Sequence, residues 1–103
     1  MRVIRIADVR VHWTATAIDH LRHIHAYIGQ SSPEYALRVV DRLTRRSQQI
    51  AQFPESGRIV PEADLPQIRE VMEGPYRIMY HITPDQVDII AVIHGSQQTP
   101  WTP

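Results

Sequence analysis

The chain has 103 residues, 43% of them hydrophobic, and a formal net charge of zero from eleven basic and eleven acidic side chains. That length suits one domain, large enough to bury a modest core without covalent staples. The absence of cysteine excludes disulfides and thiolate metal centres, and the zero net charge argues against a dedicated nucleic-acid binder.

No apolar run approaches the ~20 residues of a membrane span. Residues 1–8 interleave apolar and charged side chains, unlike a signal peptide. A soluble cytoplasmic protein is therefore expected. All eleven basic residues are arginine. A GC-rich genome explains that bias more simply than a need for planar, bidentate contacts.

In chain order, Val9, Val11 and Trp13 alternate with Arg10 and His12, the period of a half-buried strand. Residues 1–7 either extend this strand or form an N-terminal extension. Thr14 or Thr16 then caps a helix, and Thr16 with Asp19 resembles a capping box. Ala17, Leu21, Ile24 and Ile28 make one apolar stripe, which ends at Gly29-Gln30-Ser31. Ser32 followed by Pro33 starts a second helix, with Ala36, Val39, Val40, Leu43 and Ile50 on one face and four arginines on the other. Phe53-Pro54 closes it. The short connection forces an antiparallel αα-hairpin.

Residues 54–67 read as an ordered loop with a short extended piece at Arg58-Ile59-Val60. Ile68 to Glu73 is the next strand, and Gly74-Pro75 turns it into a run from Tyr76 to Ile82. There Tyr76, Ile78, Tyr80 and Ile82 alternate with Arg77, Met79 and His81, so one face is apolar and the other carries a cation. Across the Thr83-Pro84-Asp85 turn, Ile89 to Ile93 is apolar without alternation, as in a central strand buried on both faces. The tail, residues 97–103, is irregular, with Trp101 free or docked on the core. The fold class is α+β: a two-layer β-α-α-β-β-β domain with the αα-hairpin packed on a small, mainly antiparallel sheet.

Candidate chemistry is sparse. His20 and His23 are helical neighbours able to share a metal, but no further ligand completes a set, and a solvated helix face is the simpler reading. No P-loop, HExxH, GxSxG or paired-carboxylate signature is present. No metal or cofactor is expected. The arginines near the sheet are more informative. Arg77 projects from the polar face, Arg69 lies on the neighbouring strand, Arg58 in the loop before it, and His94 ends the last strand. Either they converge into a cationic surface for phosphates or an acidic peptide, or each pairs with a carboxylate such as Glu70, Glu73, Asp85 or Asp88.

The segments V-H-W-T, S-P-E-Y-A, F-P-E-S-G-R-I-V-P-E, I-R-E, P-Y-R-I-M-Y-H-I and I-A-V-I-H-G, in this order, resemble the RelE/ParE toxin superfamily of type II toxin–antitoxin systems. The resemblance runs from Val9 to His94 and implies the same β-α-α-β-β-β fold. It implies one of two activities. RelE-like members are ribosome-dependent messenger-RNA endoribonucleases, and here only Arg77 and His94 match positions of such a site. Lysines of that pattern fall at Ile68 and Glu70, and an arginine after the last strand falls at Gln97. ParE-like members inhibit DNA gyrase, and their G-R-x-V-P-E loop, R-E strand, P-Y-R and V-x-H-G ending are all here, although Ser96-Gln97-Gln98 replaces the usual arginines. The ParE-like reading is the favoured one: a non-catalytic gyrase inhibitor of the kind that stabilises plasmids. It implies a cognate ParD-like antitoxin and no DNA binding by the toxin alone. Arg58, Arg69, Arg77, His81 and His94 are then the partner-binding residues, and Arg77→Ala is expected to weaken binding without unfolding the domain.

Overall fold

The computed structural model describes residues 10–97 and 99, so the expectations for residues 1–9, 98 and 100–103, Val9 and Trp101 among them, lie outside the described residues. The elements are β1 (Arg10–Trp13), α1 (Ala15–Gly29), α2 (Pro33–Gln52), a 3-10 turn (Pro54–Ser56), β2 (Arg58–Ile59), β3 (Ile68–Glu73), β4 (Tyr76–Ile82) and β5 (Gln86–His94). The strands form one sheet in the order β1-β5-β4-β3-β2. β1 runs parallel to β5, and the other pairings are antiparallel.

Local chemistry accounts for the helix boundaries. The Thr14 side chain accepts the Ala17 N–H at 3.2 Å and caps α1. Thr16 therefore lies inside the first turn, and Asp19 pairs instead with Arg22 at 3.6 Å. Ser32 caps α2 by accepting from the Tyr35 N–H at 3.2 Å, with Pro33 in the first helical position. The stripes of both helices meet one sheet face. There Ala17, Val39, Leu43 and Ile50 pack against Val71, Ile78, Tyr80, Val87, Ile89 and Val92. Each fully buried aliphatic side chain in such a cluster contributes roughly 1.5–3 kcal/mol.

The unbroken apolar run in β5 has two causes. β5 lies between β1 and β4, and its register slips at Met79/Tyr80, so that Met79 faces Ala91 while Tyr80 faces Ile89. Ile90 is the extra residue of a β-bulge, and each later side chain changes face. Val87, Ile89 and Val92 thus meet the helices, whereas Ala91 and Ile93 join Val60, Ile68 and Met79 in a second cluster on the outer face. The loop after β2 covers that cluster with Ala63 packed on it. Where β1 ends, α1 crosses the edge of β5, and the His20 Nδ1 accepts the Val92 N–H at 3.2 Å. Burial, then the nearby His23, lowers the His20 pKa below its ordinary value, with Asp19 opposing.

Candidate functional site

Strand alternation sorts the five candidate residues onto two faces of the sheet. Arg77 and His81 lie on the outer face with Met79, while Arg69 shares the helix-side face with Val71 and Tyr80, its direct neighbour in register. His94 lies opposite Tyr76, and their rings meet edge to face with centroids 5.9 Å apart. Tyr76 packs on the helix-side core, and His94 lines a cavity there with Val39 and Leu43. Arg77 and His94 are therefore separated by the sheet itself.

Of the two arrangements open to the arginines, the structure has the paired one for Arg58 and Arg77. Glu70, side chain 1% exposed, receives an Nε–H from Arg58 on one oxygen and an Nε–H from Arg77 on the other. The remaining donors of Arg77 hold Glu62 in a fork, NH1 and NH2 each 3.0 Å from one oxygen. Two cations and two carboxylates cancel. The bonds to Glu62, then Glu70, raise the Arg77 pKa further above its ordinary value, and the bond from Arg77 lowers that of Glu62. A carboxylate as buried as Glu70 costs several kcal/mol unless paired, so Arg77 is committed to it. Arg77, at 7% relative exposure, offers almost no surface to a ligand.

Arg69 has another task. Its Nε donates to the Pro66 carbonyl at 3.1 Å, and NH1 donates to the carbonyls of Glu55 and Gly57 at 3.2 and 3.0 Å. These bonds tie the 3-10 turn to β3. The same turn is gripped by Tyr80, whose hydroxyl donates to the Pro54 carbonyl at 2.6 Å and accepts the Gly57 N–H at 3.0 Å. Burial raises the pKa of that hydroxyl, with the Gly57 bond acting against it. The P-E-S-G-R segment is thus a clamp between turn and sheet.

Arg58 keeps a 65% exposed side chain beyond its bond to Glu70, and His81 is half-buried opposite Asp88, which also meets the His12 ring at 3.3 Å. His94 is exposed. Its Nδ1 accepts the Ser96 N–H at 3.2 Å and lies 2.8 Å from the Ser96 hydroxyl, while the His94 backbone N–H donates to the Gln97 side-chain oxygen at 2.7 Å. Gln97, where an arginine was expected from the resemblance, caps the end of β5. Among the described residues no group of three or more metal-ligating side chains could hold an ion, and no helix is long and apolar enough to cross a membrane.

Glu62 and the aromatic rim around His94 join the site only through the fold. Tyr27 belongs to the stripe of Ile24 and Ile28, and at 76% exposure it extends that stripe beyond the core. Tyr35, 42% exposed, lies against the same cavity as Tyr27 and Tyr76. The spacing of Tyr27 was the available signal. Glu62 gave none, because its pairing depends on the path of the loop.

A helix hairpin on a five-stranded sheet, with a clamped P-E-S-G-R turn and a paired Arg77, defines a small two-layer α+β domain. Residues 11–99 match the family described as ParE toxin of type II toxin–antitoxin system, parDE, and the chain belongs to that family within the RelE/ParE superfamily. It is 38% identical over 93 residues to Y4kP of Sinorhizobium fredii, covering 88% of this chain and 93% of that one. Toxin RelE2 of Caulobacter vibrioides is 35% identical over 89 residues, covering 85% of this chain and 97% of the relative. The fold is similar to a toxin in the chromosomal ParDE system of P. aeruginosa, with a TM-score of 0.70 at 20% identity, covering 84% of this chain and 95% of that one.

Proposed function

We propose that this family member acts as a non-catalytic inhibitor of DNA gyrase, neutralised in the cytoplasm by a cognate ParD-like antitoxin. The observation that supports the reading is the fate of Arg77. A nuclease needs cations aimed at the scissile phosphate and a proton-transfer group within reach of it. Here the fork of Arg77 is filled by Glu62, its Nε by Glu70, and His94 lies on the other sheet face. A toxin that works by binding needs no such convergence. In this reading Arg58, His81 and His94 meet partners directly, while Arg69 and Arg77 shape the surface by holding its loops. Zero net charge leaves little drive for the toxin to bind DNA alone.

The second reading, a RelE-like ribosome-dependent endoribonuclease, is favoured by the likeness to RelE2. One experiment separates them: supercoiling and DNA-cleavage assays with purified gyrase, with and without the polypeptide encoded beside the toxin. Inhibition with trapped cleaved DNA, relieved by that polypeptide, is the expected result. Unimpaired gyrase together with codon-phased cuts in translated messenger RNA would overturn it in favour of the nuclease.

A further inference from the structure

Three of the four tyrosines, Tyr27, Tyr35 and Tyr76, line one cavity of about 310 Å³ whose floor is Ile28, Val39 and Leu43. That volume falls at the small end of pockets that hold small molecules, roughly 300–1,000 Å³. Tyrosine walls over an apolar floor suit a planar aromatic body, because stacking accepts any π-face and the rings lose little entropy. Burial, then the neighbouring Tyr35 and Tyr27, raise the Tyr76 pKa, so its hydroxyl keeps its proton.

The charged groups of the cavity have both signs and are not spent on each other. Arg42 lines it from α2, and Glu73 lines it from the end of β3. The guanidinium carbons of Arg38 and Arg42 sit 5.6 and 6.0 Å from the Tyr35 ring centroid. Among the described residues the ion pairs are made by other side chains, which leaves Arg38, Arg42 and Glu73 unpaired. His94 lines the same cavity, and its Nδ1 accepts the Ser96 N–H, which puts the proton of the neutral ring on Nε2.

A ligand that satisfies this set is planar, offers hydrogen-bond donors to Glu73 and carries an anion for Arg42. Its two polar ends lie apart, because Glu73 and Arg42 share the cavity without bonding to each other. An amino-acid zwitterion, with ammonium and carboxylate on one carbon, does not span them. Guanine does. Its adjacent N1–H and N2–H donors match the two oxygens of a carboxylate, and its O6 and N7 acceptors suit a histidine Nε2–H. Adenine has a bare N1 in place of N1–H and would set a lone pair against Glu73.

We propose that this cavity binds a free guanine nucleotide, with its base on the tyrosine walls and its Watson–Crick edge on Glu73. The phosphate meets Arg42 and Arg38, whose forked donors match its oxygens. Such a site goes beyond the gyrase reading and is independent of it.

The test titrates the full chain, isotope-labelled, with guanosine monophosphate. The amide signals of Tyr27, Tyr35, Tyr76 and His94 are expected to shift saturably, and adenosine monophosphate should bind about tenfold more weakly. Glu73→Gln should abolish that preference and leave the affinity for adenosine monophosphate unchanged. Arg42→Gln should weaken guanosine monophosphate about tenfold and leave guanosine unaffected. Neither side chain belongs to the buried core, and circular dichroism verifies that both variants fold. An RNA pentamer with one guanine separates the two sources of this chemistry, and it should bind more weakly than the free nucleotide. Tighter binding of the pentamer would assign the cavity to RNA and overturn the proposal. Equal binding of the two monophosphates, the same preference in Glu73→Gln, or no saturable shift at millimolar nucleotide would each overturn it. So would the same shifts with inorganic phosphate, which would mark an anion contact at Arg42 alone.

Discussion

Arg77 in β4 holds Glu62 in the loop after β2 by two parallel hydrogen bonds of 3.0 Å, and so fastens that loop over the outer face of the sheet. The same guanidinium supports the buried Glu70 from below. A residue that seemed from its strand position to be aimed at a partner is a structural tie between three segments.

The first prediction follows from this geometry and replaces the milder expectation from sequence. Arg77→Ala strips Glu70 of one of its two cations at a nearly sealed position. Removing one partner from a buried charge cluster costs about 3–5 kcal/mol, so the variant should be largely unfolded or melt far earlier. Urea unfolding measures it. The double variant Arg77→Met with Glu70→Gln should recover a good part of the loss, because the charges it leaves unpaired, Glu62 and Arg58, reach solvent while the sealed position then carries none. A fully folded, stable Arg77→Ala would show that the cluster contributes little.

Gly57 carries the second prediction. A Cβ placed there would lie 2.6 Å from the Glu70 carbonyl oxygen and would also overlap the Tyr80 hydroxyl. Gly57→Ala should therefore destabilise the domain, and Tyr80→Phe should not rescue it, since the backbone clash persists. Tyr80→Phe by itself leaves the Pro54 carbonyl and Gly57 N–H without their partner, at about 1–3 kcal/mol. Denaturant midpoints of the two single variants and the double variant check both statements.

Stability should also fall in mildly acidic solution. The neutral His20 ring accepts the Val92 N–H, and its pKa in the fold is lowered from 6.5. As pH falls through that ordinary value the unfolded chain takes up the proton first, so stability declines until pH reaches the lower folded pKa. Above about pH 7 this contribution is complete and flat. Glu62, lowered from 4.5, acts in the same sense but in a separate, more acidic window. Unfolding free energies measured from pH 8 to 5 should show the decline in the native chain and a smaller one in His20→Asn. Identical slopes would remove His20 as the cause.

A fourth prediction separates core from surface on a single helix. Leu43 is fully buried and Leu37 is 62% exposed. Leu43→Ala should cost about 2–5 kcal/mol, while Leu37→Ala should stay within about 0.5 kcal/mol, as thermal unfolding can verify.

Much of the fold was legible because its signals are local. The strands at Ile68–Glu73 and Tyr76–Ile82 follow from alternation and from the turn residues Gly74 and Pro75, and the structure has the same limits. Ser32-Pro33 marked the start of α2 for the same reason. The first helix cap was ambiguous, since Thr14 and Thr16 have the same chemistry and only the chain's exit from β1 selects Thr14. The bulge at Ile90 was hidden, because an apolar run reads alike whether a strand is buried on both faces or changes face midway.

The sequence by itself therefore determined the order and type of the elements, the apolar faces that had to meet, and the family. Those properties reside in periods of two and 3.6 residues and in short turn and cap motifs, which neighbouring residues control. Only the tertiary structure decided what each charged side chain does. Arg77 and Glu62 are fifteen positions apart, Tyr80 and Pro54 twenty-six, and His20 and Val92 seventy-two. No local pattern encodes such separations. They are chosen when the loop after β2 folds back on the sheet and α1 crosses the edge of β5, and at that point a buried charge takes the nearest counter-charge rather than wait for a ligand.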